Sequence, residues 1–537
     1  MDAIRNFNRD RKIDRYALLG LVLLGFMFWG ARSLWDSSEA RYGQVAFEML
    51  THGNWLVPTL AGEPHLTKPP FSYWMIAAGM KLFGINAWGA RFFLSAFFTG
   101  TLFCIRELAR TMGSGRKEAL TAAVIFGTSL VPFVGGHTLT TDTFLAFWET
   151  LGILAAWKIW TSHGHHLRLW QLIFWGAFGM GFFTKGPPAW LPLIPIAVYL
   201  GMRRGNHQRP SLVSLPGIIL FLVLSFWWFA ALIARDPGLL SYFIGDELVG
   251  RFASTMHDRN DPFWLYAPVI LLGVGPWMVL WPGVIAGTFA KLRKRAHPLQ
   301  DHHLFLLLWV MIPLGVFTLS QSRMPLYVLP LFVPLSIVMA RIGCCGVFPR
   351  LQASPAKHRA ATVGIALWVL VLVIFTAYPD GSPGARSRRP AAEVFAQALA
   401  RIKEPCTLYW VSAGRQKYSI PFYMQRIISN TEQFDRHATA TAPRPEFKNR
   451  VFYITKTHLL PRLGQTTDPP VVHAKALGYA LVEWPQQPLS TGRLANPADT
   501  SNVGTIKFDD TRRHAFHAPP HSGLYAALLW ILANSRH

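Results

Sequence analysis

What most constrains this chain is a series of apolar runs, each near the length that crosses a bilayer. They fall at about residues 16–35, 87–108, 118–135, 141–160, 169–184, 187–202, 212–233, 263–290, 302–320, 325–345 and 360–378. A helix needs about twenty apolar residues to cross roughly 30 Å of hydrocarbon, so about eleven spans are expected. In lipid, helices pair their own backbone groups, which makes the membrane part all-α. The 187–202 run is short and proline-rich, and the 71–84 run (FSYWMIAAGMKLFG) is too short to cross and reads as an interfacial helix. Composition agrees: 51% of the 537 residues are hydrophobic and 15% charged, against about 25% charged in soluble proteins.

The first run follows a basic segment (Arg5, Arg9, Arg11, Lys12, Arg15). Its length fits a retained span rather than a cleaved signal. The net charge of +24 lies mostly in short loops, where it sets topology and meets anionic headgroups. It forms no clustered face for nucleic acid. Arg106, Arg110, Arg116 and Lys117, then Arg203, Arg204 and Arg209, then Lys291, Arg293, Lys294 and Arg295, then Arg350, Lys357 and Arg359 all fall on the N-terminal side. That is a sustained positive-inside pattern. The opposite side receives 36–86, 136–141, Lys185-Gly186-Pro187, 234–262, 321–324 and everything from about 380. The four cysteines, Cys104, Cys344, Cys345 and Cys406, show neither a disulfide framework nor metal-ligand spacing.

Two domains are expected: 1–379 in the membrane and 380–537 outside it. SPGARSRR reads as a linker, AAEVFAQALARI as a helix, and TLYWVS, RVFYITK and YALVEW as short strands. Such alternation gives a small α/β or α+β unit.

The outer face collects Asp36, Glu39, Arg41, Tyr42, Lys68, Asp142, Lys185, Glu247, Arg251, Arg323 and Tyr327. Taken singly these have plain readings. Charges at span ends snorkel to the interface, and Asp142 in LTTDTF can cap a helix. Lys185 and Arg323, however, sit in tight turns beside the membrane, where cations suit an anionic headgroup. Arginine adds a planar fork for phosphate oxygens. Apolar neighbours of Glu247 and Arg251 make that loop an interfacial helix. Together, several cations and a few carboxylates on one face describe a site for a phosphate-bearing lipid, with acid/base or metal assistance.

The ordered motifs SEARY, NWLVPTLAGEPHLTKPPFSYW, LTTDTFLAFW, FFTKGP, DELVGRF and SRMPLYVLP resemble those of the polyprenol-phosphate-dependent glycosyltransferases of the GT-C fold. Within these, the chain is similar to the bacterial lipid A aminoarabinose transferases, and more distantly to the protein O-mannosyltransferases. The resemblance covers about residues 15–345. It implies an inner-membrane enzyme that takes a sugar from an undecaprenyl-phosphate donor to lipid A, or another envelope acceptor, at the periplasmic face. By motif position, Arg41, Tyr42, Lys68, Lys185 and Arg323 would hold the donor phosphate and its surroundings, with Glu247, Arg251 and Tyr327 in the matching segments. A divalent metal is allowed, without an assigned ligand set. The motif departs at Ser38, where the family has its catalytic aspartate, and at Thr67 and Leu248, which replace a frequent glutamate and histidine. Glu39, Asp36 and Asp142 are then the candidate catalytic acids, Glu39 foremost because it stands beside Arg41-Tyr42. A phosphate acceptor is already anionic and scarcely needs a base, so Ser38 tilts the reading toward lipid A over a protein or glycan hydroxyl. A lipid or solute transporter would place its charges near the midplane and show repeated halves; neither is visible.

Overall fold

The computed structural model describes residues 16–483, apart from 28, 37, 162–165, 204–209, 250–261, 294–300, 350–353, 377–386, 403, 405, 411–415, 431–449 and 461–469. The membrane part is helical throughout. Five described helices are long and apolar enough to cross a membrane, and seven if each of two bent pairs counts as one span. The five are α4 (Ala87–Thr111), α10 (Leu215–Ile233) and the helices at Asp301–Leu319, Pro325–Val347 and Pro355–Ile374.

The shortfall against eleven apolar runs has local causes. The 118–135 run breaks into α5 (Arg116–Thr128) and α6 (Leu130–Gly136), bent by 70°, and the 263–290 run bends by 95° before Gly275. Pro187 and Pro188 open the 187–202 run as a 3-10 turn before α9 (Leu193–Met202). The 141–160 run forms α7 (Thr141–Thr161), which carries Asp142, Glu149 and Lys158. The 169–184 run forms α8 (Leu167–Lys185), about 28 Å long. The first run is corrected most. Its helix α1 spans Tyr16–Phe26, and the chain then turns, burying Arg32 at 3% exposure where a span through Trp35 was expected. A guanidinium in that place has to be paired inside protein rather than face lipid.

The 36–86 loop folds as α2 (Glu39–His52), a two-stranded hairpin (β1 Thr59–Leu60, β2 Glu63–Pro64) and α3 (Phe71–Phe83). Buried Glu48 accepts from the backbone N–H groups of Ala61 (2.8 Å) and Gly62 (3.1 Å), both at positive φ, and so fixes the hairpin turn against α2. Indole N–H groups of Trp74 and Trp228 donate to the carbonyls of Trp55 and Leu56 (2.8 Å each). These contacts set the path of the chain into Lys68. Helices α3 and α4 meet so closely that a Cβ on Gly79 would lie 2.2 Å from the Gly89 carbonyl oxygen, which excludes any larger residue there.

Beyond the last membrane helix, the helix Arg389–Ala400 packs on a mixed five-stranded sheet in the order β4-β3-β5-β7-β6. Strand β3 (Cys406–Trp410) is parallel to β4 (Ser429–Asn430) and β5 (Arg450–Lys456). Strand β7 (Tyr479–Glu483) is antiparallel to β5 and to β6 (Val471–Ala476). The period-2 pattern of RVFYITK sends Phe452 and Ile454 against Phe395 and Leu399 of the helix, and Tyr453 to the other face.

This unit docks on the 36–86 loop and the turn before it. Phe422 enters the apolar cluster of Leu34, Tyr42 and Val45, and Gln44 donates to the Arg426 carbonyl (3.1 Å). The Leu34 amide donates to the Tyr423 hydroxyl (2.7 Å). The Asp36 carboxylate accepts from the Ser419 amide (3.0 Å) and from its hydroxyl. Burial pushes the Asp36 carboxyl up to about 6, against the opposing pull of the Ser419 hydrogen bonds. The docked state therefore binds that proton more tightly than the free chain does. Its contribution is fully present below about pH 4 and is lost as pH rises toward about 6. Asp36→Asn should flatten this dependence. Thermal unfolding from pH 4 to pH 7 should show wild type losing stability relative to the variant over that window, and parallel curves would refute it.

Candidate active site

Glu39 is the hub of the 36–86 loop, and its carboxylate is fully engaged. Oε2 accepts from the Arg32 guanidinium and from the Trp35 amide (3.1 Å). Oε1 accepts from Arg91 Nε (3.1 Å), Arg91 Nη2 (3.0 Å) and the Leu139 amide (2.9 Å). Burial raises the carboxyl, but the two guanidiniums and these hydrogen bonds outweigh it and hold it near 2. Burial likewise brings Arg32 down to about 10, with Glu39 opposing. The remaining Arg91 donors go to the carbonyls of Arg32 (2.8 Å) and Ser33 (3.1 Å). Arg32 also reaches the His137 carbonyl (3.0 Å) and Thr138 Oγ1 (3.2 Å). One carboxylate and two arginines thus tie the 29–35 turns, the start of α2 and the approach to α7.

That approach delivers the second cluster. Thr140 Oγ1 accepts from the Asp142 amide (3.2 Å), so the cap of α7 belongs to Thr140. The Asp142 carboxylate is left to pair with Lys185 at the end of α8. The Lys185 ammonium also lies over the Tyr327 ring, 4.3 Å from its centroid, a cation–π contact. Lys68 donates to the Tyr42 hydroxyl (2.9 Å) and to Thr141 Oγ1 (3.2 Å). Arg41 stands over Tyr42, its guanidinium carbon 5.9 Å from the ring centroid. Tyr42, Lys68, Asp142, Lys185 and Tyr327, read separately from five segments of sequence, therefore converge through α7.

Other candidates lie apart from this line. Asp36 is committed to Ser419, and Glu39 to Arg32 and Arg91. The Arg323 guanidinium donates to the Thr318 carbonyl (3.0 and 3.3 Å), closing the end of the helix Asp301–Leu319. Glu247 falls in the π-helical turn Tyr242–Val249, where its side chain is not described, and Arg251 lies outside the described residues. Among the described residues no three His, Cys, Asp or Glu side chains gather as a metal set. Asp36, Glu39 and Asp142 are each turned to a cation or a backbone amide instead. Sequence reasoning missed Arg32, Arg91 and Thr141. Arg91 had a signal, a lone arginine inside AWGARFFLSAFF.

Residues 67–229 match the family described as dolichyl-phosphate-mannose-protein mannosyltransferase. In backbone arrangement the chain is similar to ArnT from Cupriavidus metallidurans, solved bound to undecaprenyl phosphate. The TM-score is 0.69 over 88% of this chain and 98% of that one, at 19% identity. The chain has the GT-C fold of that protein. Curated relatives with this fold-family resemblance include the undecaprenyl phosphate-alpha-4-amino-4-deoxy-L-arabinose arabinosyl transferase 2 of Proteus mirabilis, 29% identical over 68% of this chain and 66% of the relative. Transferase 1 of Sodalis glossinidius is 32% identical over 62% and 60%. The chain thus spans about 60–66% of the length of these relatives. The segments SEARY and TKPP contribute Tyr42 and Lys68, and TTD and FTKGP contribute Thr141, Asp142 and Lys185.

Proposed function

We propose that this chain is an integral-membrane glycosyltransferase that moves 4-amino-4-deoxy-L-arabinose from undecaprenyl phosphate to a lipid A phosphate at the periplasmic face. The observation that carries this reading is the delivery of two lysines, Lys68 and Lys185, to the two ends of one line of polar side chains at the head of α7. An acceptor phosphate oxygen attacks the anomeric carbon, the bond from that carbon to the donor phosphate oxygen breaks, and the lipid phosphate leaves with the electron pair. Positive charge already in place stabilises that developing anion without reorganisation. Lys185 would exchange its pairing with Asp142 for the donor phosphate, and Arg41 stands near enough to Tyr42 to add charge. An anionic acceptor needs no base, which suits a site whose carboxylates at Asp36 and Glu39 are both occupied. The names of the relatives support the donor, and the basic loops on the opposite side support the outer face.

The test is transfer in proteoliposomes holding purified undecaprenyl-phosphate aminoarabinose and lipid A, with the product read by mass spectrometry. In intact spheroplasts, cysteines placed at Gly186 and Ser322 should react with an impermeant thiol reagent, and those at Ser114 and Ser354 only after lysis. No product, or reversed labelling, overturns the corresponding half of the proposal.

A further inference from the structure

Glu149 lies two turns along α7 from Asp142, about 10 Å deeper along the helix axis and on the same face. It is 4% exposed, and among the described residues its carboxylate has no hydrogen-bond or ion-pair partner. It lines a small pocket shared with Lys185, Tyr327, Trp309, Phe317 and Pro313. Apart from these two charges the walls named are aromatic or proline, and Lys185 is already paired with Asp142. A carboxylate at such depth is costly to keep without a counter-charge, and ionisable groups inside membrane helices mark ligand paths by default. The pocket thus has a cation-binding group and an anion-binding group in its lining.

Resting on the glycosyltransferase reading above, we propose that Glu149 is the specificity-determining residue that reads the ammonium of an amino-sugar donor. The phosphate end of the donor meets Lys185, while the amine donates a charge-assisted hydrogen bond to the Glu149 carboxylate. A sugar with a hydroxyl in place of the amine brings no charge and leaves the carboxylate uncompensated. Discrimination of this kind, from a buried polar group left unpaired by the wrong substrate, exceeds what shape alone supplies.

The experiment compares two synthetic donors in the proteoliposome assay: undecaprenyl phosphate carrying 4-amino-4-deoxy-L-arabinose, and the same lipid carrying L-arabinose. Wild type should prefer the amine by about ten- to a hundredfold in kcat/KM, the range of one charge-assisted hydrogen bond. Glu149→Gln should bring that ratio close to one, chiefly by raising KM for the amino donor. Glu149→Asp keeps the charge, guards against a folding defect in the glutamine variant, and should retain the preference at weaker affinity. An unchanged ratio in Glu149→Gln, or an equal loss on both donors that would mark Glu149 as a positioning residue for Lys185, overturns the proposal while leaving the transferase reading intact. Wild type silent with both donors overturns the transferase reading itself, and this inference with it.

Discussion

Replacing Glu39 with alanine should destabilise the fold around α2 and the 29–35 turns by about 3–5 kcal/mol, the usual cost of removing one partner from a buried ion pair. Arg32 and Arg91, 3% and 1% exposed, would lose the carboxylate they share. The turns at 29–35 and the Leu139 amide would lose their anchor. Glu39→Gln keeps the shape and should still cost stability, because a neutral amide cannot balance two guanidiniums. Its defect should resemble that of Arg91→Met. Thermal unfolding of the detergent-solubilised protein, read by the loss of its monodisperse peak, measures this directly. If Glu39→Gln melts with wild type but abolishes transfer, the carboxylate serves the reaction rather than the fold. The same pairing sets an acid limit. With its carboxyl held near 2, the contribution of Glu39 is complete above about pH 4.5 and is lost as pH falls through about 2.

The second large effect concerns Lys185. Lys185→Ala should lower transfer by about ten- to a hundredfold, from the loss of a charge-assisted contact of about 1.5–3 kcal/mol with the donor phosphate. Asp142→Asn should lower it less, if the carboxylate only holds the lysine until the donor arrives. In the double variant the loss should then equal that of Lys185→Ala alone, since Asp142 would have nothing left to position. Additive losses would give Asp142 a role of its own, as the base that Ser38 cannot be. Normal transfer by Lys185→Ala would reduce this lysine to an interfacial anchor.

The site was legible where one short motif carries both a charge and its turn. FFTKGP and TTDTF each place a residue at a helix end, and the helices bring Lys185 and Asp142 together. The spacing of residues in the SEARY motif pointed to Glu39, but not to its use. Both arginines that claim it lie in stretches read as apolar, one in the first run and one in AWGARFFLSAFF. A charge in such a stretch is itself a signal of an internal partner. Asp36 carried no local clue, because its partner Ser419 is 383 positions away. Strands β3, β5 and β7 were visible from alternation, whereas β4, two residues long, is below the length at which a pattern exists. The apolar runs announced helices but not their bends, which depend on which backbone groups find partners elsewhere.

One of those bends reaches further than its own neighbourhood. Pro132 has no N–H to return to the Thr128 carbonyl, so the chain breaks there and that oxygen is released. The Trp368 indole donates to it at 2.8 Å, and the Trp277 indole takes the Thr128 hydroxyl at 2.9 Å. The helix bearing Trp368, Pro355–Ile374, is only 6% buried within its apolar window and has little packing to fix its height in the bilayer. Its vertical position is therefore held by a polar latch, in a solvent where an unclaimed carbonyl has no alternative donor. The sheet unit that clasps Asp36 follows this helix in the chain. A missing proton donor on one proline thus frees the oxygen that anchors the helix preceding the sheet unit in the chain.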